Sequence, residues 1–333
     1  MKFLICGLGS IGKRHLENLE KLGVKCEDIL IYRTGKGTKN FGDKVLSEHG
    51  GKHPVFYSID DALKEKPTAA IITNPTSLHI PMAITAAQAG CHIFLEKPIS
   101  HSLEKVDDLK KITERKRLKV FVAYQLRFHP LFKQIQKWLN EERIGKVLCV
   151  HMEMAERLTD WHPWEDYRAS YASREDLGGG VVLTQSHELD MLYSLFGKSE
   201  WIFATGGKLS NLDIEVEDMA KSIMQFPNGV IASLHVDYFK KPPSRFIEIT
   251  GAKGRIRWDY FKKEAKIIPM EGNEEIINEP AGYERNMMYI EIMSHFLKAL
   301  SGKAEELVDL EQGKTVLEMA LRTKQSILSR KII

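Results

Sequence analysis

Lys97 stands where an apolar run, His92-Ile93-Phe94-Leu95, should end, inside the tripeptide Glu96-Lys97-Pro98. In an open α/β sheet the carboxyl ends of the strands open onto the ligand crevice. A lysine held there is a candidate for chemistry and not only a surface charge. A second pattern opens the chain, where Gly7-Leu8-Gly9-Ser10-Ile11-Gly12 follows the apolar Lys2-Phe3-Leu4-Ile5-Cys6 and precedes a helical pattern through Leu16, Leu19 and Leu22. Strand, glycine turn and helix in that order point to a dinucleotide cofactor. Gly7 would permit the tight turn, Gly9 the approach of a pyrophosphate to the backbone, and Gly12 the close packing of helix on strand. The N–H groups and positive dipole end at Ser10 and Ile11 would then hold the phosphates. His187 is a third candidate. It follows Gly178-Gly179-Gly180, read as a flexible lead into a helix through Leu189, Leu192 and Leu195. Histidine titrates near neutral pH, and Asp190 shares its helix face.

The end of the second strand reads Tyr32-Arg33-Thr34-Gly35-Lys36, where an NAD site offers a carboxylate to the ribose hydroxyls. Asp28 begins that strand and so lies at its wrong end. Arg33, with Thr34 or Lys36, is placed to meet a 2′-phosphate. NADP(H) is therefore favoured, with NAD(H) as the alternative.

These residues need elements to position them. Further apolar runs occur at Ile29–Tyr32, Pro54–Tyr57, Ala69–Thr73, His92–Leu95 and Lys119–Ala123, with helical stretches between most of them. That alternation implies parallel βαβ units. The pattern changes beyond residue 123. A helical stretch from Phe128 to about Glu142 leads to alternation in Val147–Met154 and then to an aromatic-rich loop from Trp161 to Arg174. Strand-like runs follow at Trp201–Thr205, Met219–Phe226, Val230–Tyr238, Arg245–Thr250 and Gly254–Asp259, with Pro227-Asn228-Gly229 as a hairpin turn. Two helices, Glu284–Leu300 and Asp309–Leu328, close the chain. The expected fold class is α/β. A doubly wound parallel sheet over residues 1–123 is followed by an α+β domain over 124–333, with a large open, mainly antiparallel sheet and a C-terminal helix able to pack back on the first domain. The broad face of that sheet needs a partner, so a homodimer or homotetramer is expected.

A chain of 333 residues is long enough for two cores. Its 43% apolar and 28% charged residues are ordinary for a globular protein. No run approaches the roughly 20 apolar residues of a spanning helix, and the N-terminal apolar run is too short for a signal peptide. A cytoplasmic protein with no membrane contact is expected. A formal charge of +3 is too weak to argue for nucleic acid. Cys6, Cys26, Cys91 and Cys149 are scattered and form no Cys-x-x-Cys pair, so they read as buried free thiols and no metal site is expected.

The glycine loop, Thr73-Asn74-Pro75-Thr76-Ser77-Leu78-His79, Glu96-Lys97-Pro98, Tyr124-Gln125-Leu126-Arg127-Phe128, the Gly178 to Asp190 segment and Ile249-Thr250-Gly251-Ala252-Lys253-Gly254 occur in an order that resembles the Gfo/Idh/MocA oxidoreductases. The resemblance covers essentially the whole chain. It implies an enzyme that oxidises or reduces a sugar, cyclitol or nucleotide-sugar carbon with NAD(P). It also implies that Asn74, Pro75 and His79 border the cofactor, that Glu96 and Lys97 lie beside the nicotinamide, and that Gln125 touches it. Moving a hydride from a carbinol carbon requires a proton to leave the hydroxyl, so a group must sit within hydrogen-bond reach of that oxygen. A lysine serves when its pKa is lowered, and as an ammonium it stabilises a developing alkoxide. Alternation should turn Glu96 to the opposite face, in a supporting role. Family members that oxidise cyclitols often carry an Asp four residues before the histidine. Here that position is Leu183, so the relay consists of Lys97 with His187 alone or with the Thr184 hydroxyl.

The loop Trp161-His162-Pro163-Trp164-Glu165-Asp166-Tyr167-Arg168 offers aromatic faces to a sugar. Among Arg127, Arg168, Arg174, Lys240 and Arg245, Arg127 and Arg168 are the expected anchors for a substrate carboxylate or phosphate. The expected substrate contacts are thus Lys97, Arg127, Trp164, Arg168, Thr184 and His187. The alternative is a dinucleotide-sensing protein without turnover on the same fold.

Overall fold

The computed structural model describes residues 1–35, 39–162 and 165–333. Lys36 and Trp164, both singled out above, lie outside the described residues.

Six short strands, β1 (Phe3–Cys6), β2 (Ile29–Tyr32), β3 (Val55–Phe56), β4 (Ala69–Ile72), β5 (His92–Leu95) and β6 (Val120–Val122), form one sheet in the order β3-β2-β1-β4-β5-β6 among the described residues. Every pairing in it is parallel. Parallel strands need crossovers, and these are supplied by α1 (Ser10–Lys21), α2 (Lys39–Glu48), α3 (Ile59–Lys64), α4 (His79–Gln88) and α5 (Val106–Lys116). β1 and β4 are apolar and buried at every position. That is the signature of a sheet covered on both faces.

The second set of elements runs α6 (Pro130–Asn140), β7 (Val147–Ala155), α7 (Val181–Thr184), α8 (Ser186–Phe196), β8 (Trp201–Gly207), β9 (Met219–Gln225), β10 (Ile231–Asp237), β11 (Ser244–Gly251), β12 (Gly254–Asp259), β13 (Glu264–Pro269) and β14 (Glu275–Asn278). The sheet order is β14-β13-β12-β11-β7-β10-β9-β8. It is antiparallel except where β7 runs parallel to β10. Burial alternates along β9 and β11, so one face is inward and the other open. The Pro227–Gly229 turn joins β9 to β10 as expected, with Asn228 and Gly229 at φ 67° and 79°. β13 and β14 were not anticipated. β14 has only four residues, Glu275-Ile276-Ile277-Asn278, mostly exposed as suits a sheet edge, and β13 mixes Glu264 and Lys266 with its apolar positions. The helix expected from Phe128 begins at Pro130, because Gln125–Phe128 forms a 3₁₀ turn.

Two helices, α9 (Asn286–Leu300) and α10 (Leu310–Ser329), close the chain. The chain divides into two compact units, residues 1–125 with 285–314 and residues 126–284 with 315–333. The sequence predicts a second domain of 124–333 whose C-terminal helix could pack back on the first; it is residues 285–314, carrying α9, that cluster with the first unit, while residues 315–333 stay with the second. The reason is packing. Phe296 of α9 meets the rings of Phe94 and Phe121 edge-on at 5.2 and 6.0 Å, and the Val122 N–H donates to the Val308 carbonyl at 2.8 Å. Of the four cysteines only Cys6 and Cys91 are buried; Cys26 is half-buried and Cys149 exposed.

Candidate active site

In the first unit the glycine loop is shaped by contact. Gly7 sits at φ 107°, and a Cβ there would come 3.0 Å from the Asn74 nitrogen, so only glycine fits the turn. A Cβ on Gly12 would lie 2.2 Å from the Gly7 carbonyl oxygen, which is why α1 can start so close to β1. A Cβ on Gly9 would project into open space, so internal packing does not demand that glycine. No side chain caps the N-terminus of α1, and no acidic residue occupies its first turn. The N–H groups around Ser10 and Ile11 therefore present an uncapped positive helix end, which fits the pyrophosphate of a dinucleotide.

Thr73 ties this loop to its neighbour by donating from its hydroxyl to the carbonyls of Cys6 and Gly7 at 3.1 and 2.8 Å. His79 is 2% exposed, and its ring nitrogens lie 2.8 Å from the Pro98 carbonyl and 2.8 Å from the Asn74 carbonyl. It is a strut between the Asn74-Pro75 loop and the Lys97-Pro98 loop. Burial lowers its pKa, while the two carbonyls pull it upward.

β5 ends at Leu95, and Lys97 is half-buried just beyond it. Glu96 is buried and turns its carboxylate back toward α1. Its Oε1 lies 2.7 Å from His15 Nε2, and its Oε2 accepts the Lys97 backbone N–H at 3.2 Å. His15 is fully buried and meets Phe94 edge-on at 5.0 Å. Gln125 donates from Nε2 to the hydroxyl of Tyr289 on α9 at 2.9 Å. Neither His15 nor Tyr289 was anticipated. A signal for His15 existed, since Gly12, His15, Leu16 and Leu19 fall on one helical face and an imidazole there must be buried.

Arg33 is at the carboxyl end of β2 as expected, but its guanidinium lies over Gly42 and its Nη1 is 2.5 Å from Asp43 Oδ1. Asp43 comes from α2 and was missed, because a helical carboxylate ten residues on carries no strand-end pattern.

In the second unit Gly178–Gly180 is not the flexible segment expected. A Cβ on Gly179 would come 2.4 Å from the Tyr171 carbonyl oxygen, and one on Gly180 would come 2.4 Å from a carboxylate oxygen of Glu217. Glu217 accepts the Val182 N–H at 3.3 Å, and its carbonyl accepts the Val181 N–H at 3.0 Å. The triplet is a tight joint that fixes where α7 and α8 begin. His187 lies in the first turn of α8 and is 6% exposed; Thr184, at the end of α7, is 3% exposed. Burial pushes the Tyr238 phenol well above its usual pKa, with a hydrogen bond from Thr184 acting the other way.

The expected anion anchors are already engaged. Arg127 grips Asp190 through Nε and Nη2, at 3.0 and 2.7 Å, in a pair that is almost fully buried. Burial raises the Asp190 pKa, and the Arg127 charge opposes that rise. Arg168 clamps Asp166, with Nη2 at 2.7 Å, and also reaches Asp213. Arg174 pairs with Asp176, Lys240 with Glu153, and Arg245 with Glu188. Each of these five cations has a carboxylate partner within its own unit, so a substrate anion would have to compete for it. Asp190, expected beside His187 on one helix face, belongs to Arg127. Glu188 and Arg245, with side chains 0% and 10% exposed, form a second buried pair that was missed. On the aromatic loop, Trp161 meets Tyr238 edge-on at 5.4 Å.

Residues 1–124 match the model of the GFO/IDH/MocA oxidoreductase family with NAD-binding Rossmann fold, and residues 132–257 match that family's C-terminal domain. The chain is 24% identical to the myo-inositol 2-dehydrogenase of Thermotoga maritima over 100% of its own length and 98% of that protein's. Among solved structures it superposes on the WlbA dehydrogenase of Bordetella pertussis, crystallised with NADH and UDP-GlcNAcA, with a TM-score of 0.81 at 23% identity, covering 100% and 98% of the two chains. A levoglucosan dehydrogenase in complex with NADH and levoglucosan superposes with a TM-score of 0.86 at 18% identity, covering 100% and 98%. With a glycine loop that fits a dinucleotide and family matches on both halves, the chain belongs to the Gfo/Idh/MocA family of NAD-binding oxidoreductases.

Proposed function

We propose that this oxidoreductase transfers hydride between NADP(H), preferred over NAD(H), and a secondary alcohol or ketone carbon of a sugar, sugar acid or nucleotide sugar, with Lys97 and His187 in proton transfer. The observation that carries this reading is the placement of Lys97 at the carboxyl end of β5, flanked by the Glu96–His15 pair and by the His79 strut. The dinucleotide supplies the hydride acceptor or donor. Gly7, Gly9, Ser10, Ile11 and Gly12 would hold its pyrophosphate, and Arg33 with Thr34 would hold a 2′-phosphate once Arg33 is released from Asp43. Asn74, Pro75 and Gln125 would line the rest of the cofactor's path, with His79 bracing the Asn74 and Pro98 carbonyls beside it. With the cofactor bound, Lys97 Nζ would take the proton of the substrate hydroxyl and return it in the reverse direction. Glu96 holds the Lys97 backbone in place. His187 contacts the same substrate hydroxyl or its neighbour, with Thr184 beside it in the chain.

The carbohydrate class is supported by the names of the relatives, which include enzymes of inositol and levoglucosan. Arg127 and Arg168 serve the substrate indirectly, by fixing Asp190 and Asp166. A homodimer or homotetramer built on the open face of the second sheet completes the proposal.

Lys97→Ala is the direct test. Turnover should fall by about 10²- to 10⁴-fold, the usual contribution of a proton-transfer group, while NADPH affinity stays within several-fold. Unchanged turnover sinks the assignment. A chain that binds NADPH yet turns over no member of a panel of nucleotide sugars, sugar acids and cyclitols would instead support a dinucleotide sensor.

A further inference from the structure

The strands of the first sheet have a second end, opposite the glycine loop, where α1 and α2 finish and β2 and β3 start. Four side chains with metal-ligating atoms meet there. They are Glu20 in the last turn of α1, Cys26 in the 3₁₀ turn before β2, His49 just past α2, and His53 just before β3. We propose that these four residues form a binding site for a divalent metal ion of the zinc class, one that locks the amino-terminal end of the dinucleotide-binding sheet.

Three observations carry the proposal. The donor atoms of Glu20, Cys26 and His53 all lie within 4.8 Å of one another. Glu20 Oε1 is 3.1 Å from His53 Nε2 and 3.4 Å from Cys26 Sγ, and Glu20 Oε2 is 3.2 Å from His49 Nδ1. Tetrahedral zinc, with bonds of about 2.0–2.1 Å to nitrogen and oxygen and about 2.3 Å to sulfur, separates its ligands by roughly 3.3–3.6 Å. The three distances from Glu20 are close to that, with His49 meeting the second carboxylate oxygen, so side-chain adjustment around Glu20 would admit the ion.

The second observation is orientation. His53 Nδ1 lies 3.1 Å from the Cys26 carbonyl, which can only accept. A ring that donates from Nδ1 to this carbonyl leaves Nε2, on the Glu20 side, as the nitrogen that would ligate an ion. A backbone carbonyl that fixes the ring in this way is the usual second partner of a metal-bound histidine. The third observation is burial. The His53 side chain is fully buried and that of His49 is 15% exposed, whereas Glu20 is 27% exposed, which gives the ion a wall and an entry. Sulfur, imidazole and a single carboxylate select zinc or cobalt over magnesium or calcium. The exposed Lys52, whose charge reaches Cys26, opposes the ion.

The site was hidden in the sequence because Cys26 has no cysteine partner at ligand spacing. It is assembled by the crossovers that bring α1, α2, β2 and β3 to one end of the sheet. Because the ion would bind the folded form, it should stabilise the first unit by mass action.

The full-length protein, stripped with a chelator and titrated with Co(II) and then Zn(II), tests this. One Co(II) per chain should bind, giving the intense visible bands of four-coordinate cobalt and a near-ultraviolet thiolate-to-metal band. Zn(II) should displace it and raise the thermal midpoint by several degrees. Cys26→Ser should remove the thiolate band and weaken zinc at least tenfold. His49→Ala, at a position 15% exposed outside any helix or strand, keeps the test readable if Cys26→Ser does not fold. The absence of stoichiometric binding at micromolar metal overturns the proposal. Cobalt spectra that survive both Cys26→Ser and His49→Ala, or that vanish in Cys149→Ser, also overturn it.

Discussion

At Arg33 a single guanidinium faces two claims. Asp43 pairs with it at 2.5 Å in the structure, and a 2′-phosphate would take the same fork of donors. Removing Asp43 should therefore release Arg33. Asp43→Ala is expected to tighten NADPH several-fold and leave NADH unchanged, and Arg33→Ala should abolish any NADPH preference. Fluorescence titration with the two nucleotides reads both variants. Tighter NADH binding by the unmodified protein would overturn the NADP(H) preference. Glu96 makes a different point, because its carboxylate serves His15 and the Lys97 backbone together. Glu96→Gln keeps the shape but loses the charge opposite a fully buried imidazole. It should lower both the urea midpoint and turnover, whereas a purely structural role would lower only the midpoint. Lys97 and Glu96 were legible in the sequence as a strand end, but the Glu96–His15 contact joins residues 81 positions apart and was not.

Among the elements, the junction between β1 and α1 has the least room. A methyl group at Gly12 would sit 2.2 Å from the Gly7 carbonyl. Gly12→Ala must push α1 off the loop, costing about 1–3 kcal/mol and weakening dinucleotide binding; denaturant unfolding and nucleotide titration measure the two effects. The start of α6 sets a pH limit. His129 caps that helix by accepting the Leu131 N–H at Nδ1, 3.2 Å away, and its Nε2 faces Glu279 Oε1 at 3.2 Å. Glu279 would favour the imidazolium. Burial, then the charges of Arg245 and Lys133, outweigh it and lower the pKa to about 3. The cap agrees with the neutral ring, since a proton on Nδ1 would abolish it. With an unfolded-state pKa of about 6.5, this contribution is full above pH 6.5 and is lost as pH falls toward 3. Stability should drop on acidification by at most about 1.4 kcal/mol per pH unit from this group. His79, whose pKa burial also lowers, has the same sign. His129→Asn keeps a capping side chain and should flatten the slope measured by unfolding at pH 7 and pH 5.

For the molecule as a whole, the open sheet face of the second unit is where assembly is expected. Phe203 on β8 and Ile223 on β9 are register partners, 37% and 44% exposed. The pair lies at the β8 edge of the sheet, where an exposed apolar patch is costly to leave in water. Phe203→Glu with Ile223→Lys should shift the mass measured by light scattering to that of a monomer without unfolding the chain. An unchanged mass would put any interface elsewhere. No described helix is long and apolar enough to cross a membrane.

What the sequence determined by itself was everything written in local order. The glycine loop, the alternation of apolar runs with helical stretches, the Pro227–Gly229 hairpin and the lysine after β5 all follow from spacing along the chain, because strand and helix periods and glycine's freedom are local properties. Tertiary structure decided the rest. It spent Arg127 and Arg168 on Asp190 and Asp166, turned an apparently flexible glycine triplet into a tight joint, and returned residues 285–314 to the first unit. It also brought Cys26 to His53. The physical reason is common to all four. Except for Arg168, whose partner Asp166 is an exposed neighbour two residues away, a buried charge, a close backbone approach and a packed ring are each satisfied by partners that the chain supplies from distant positions, and linear spacing carries no record of them.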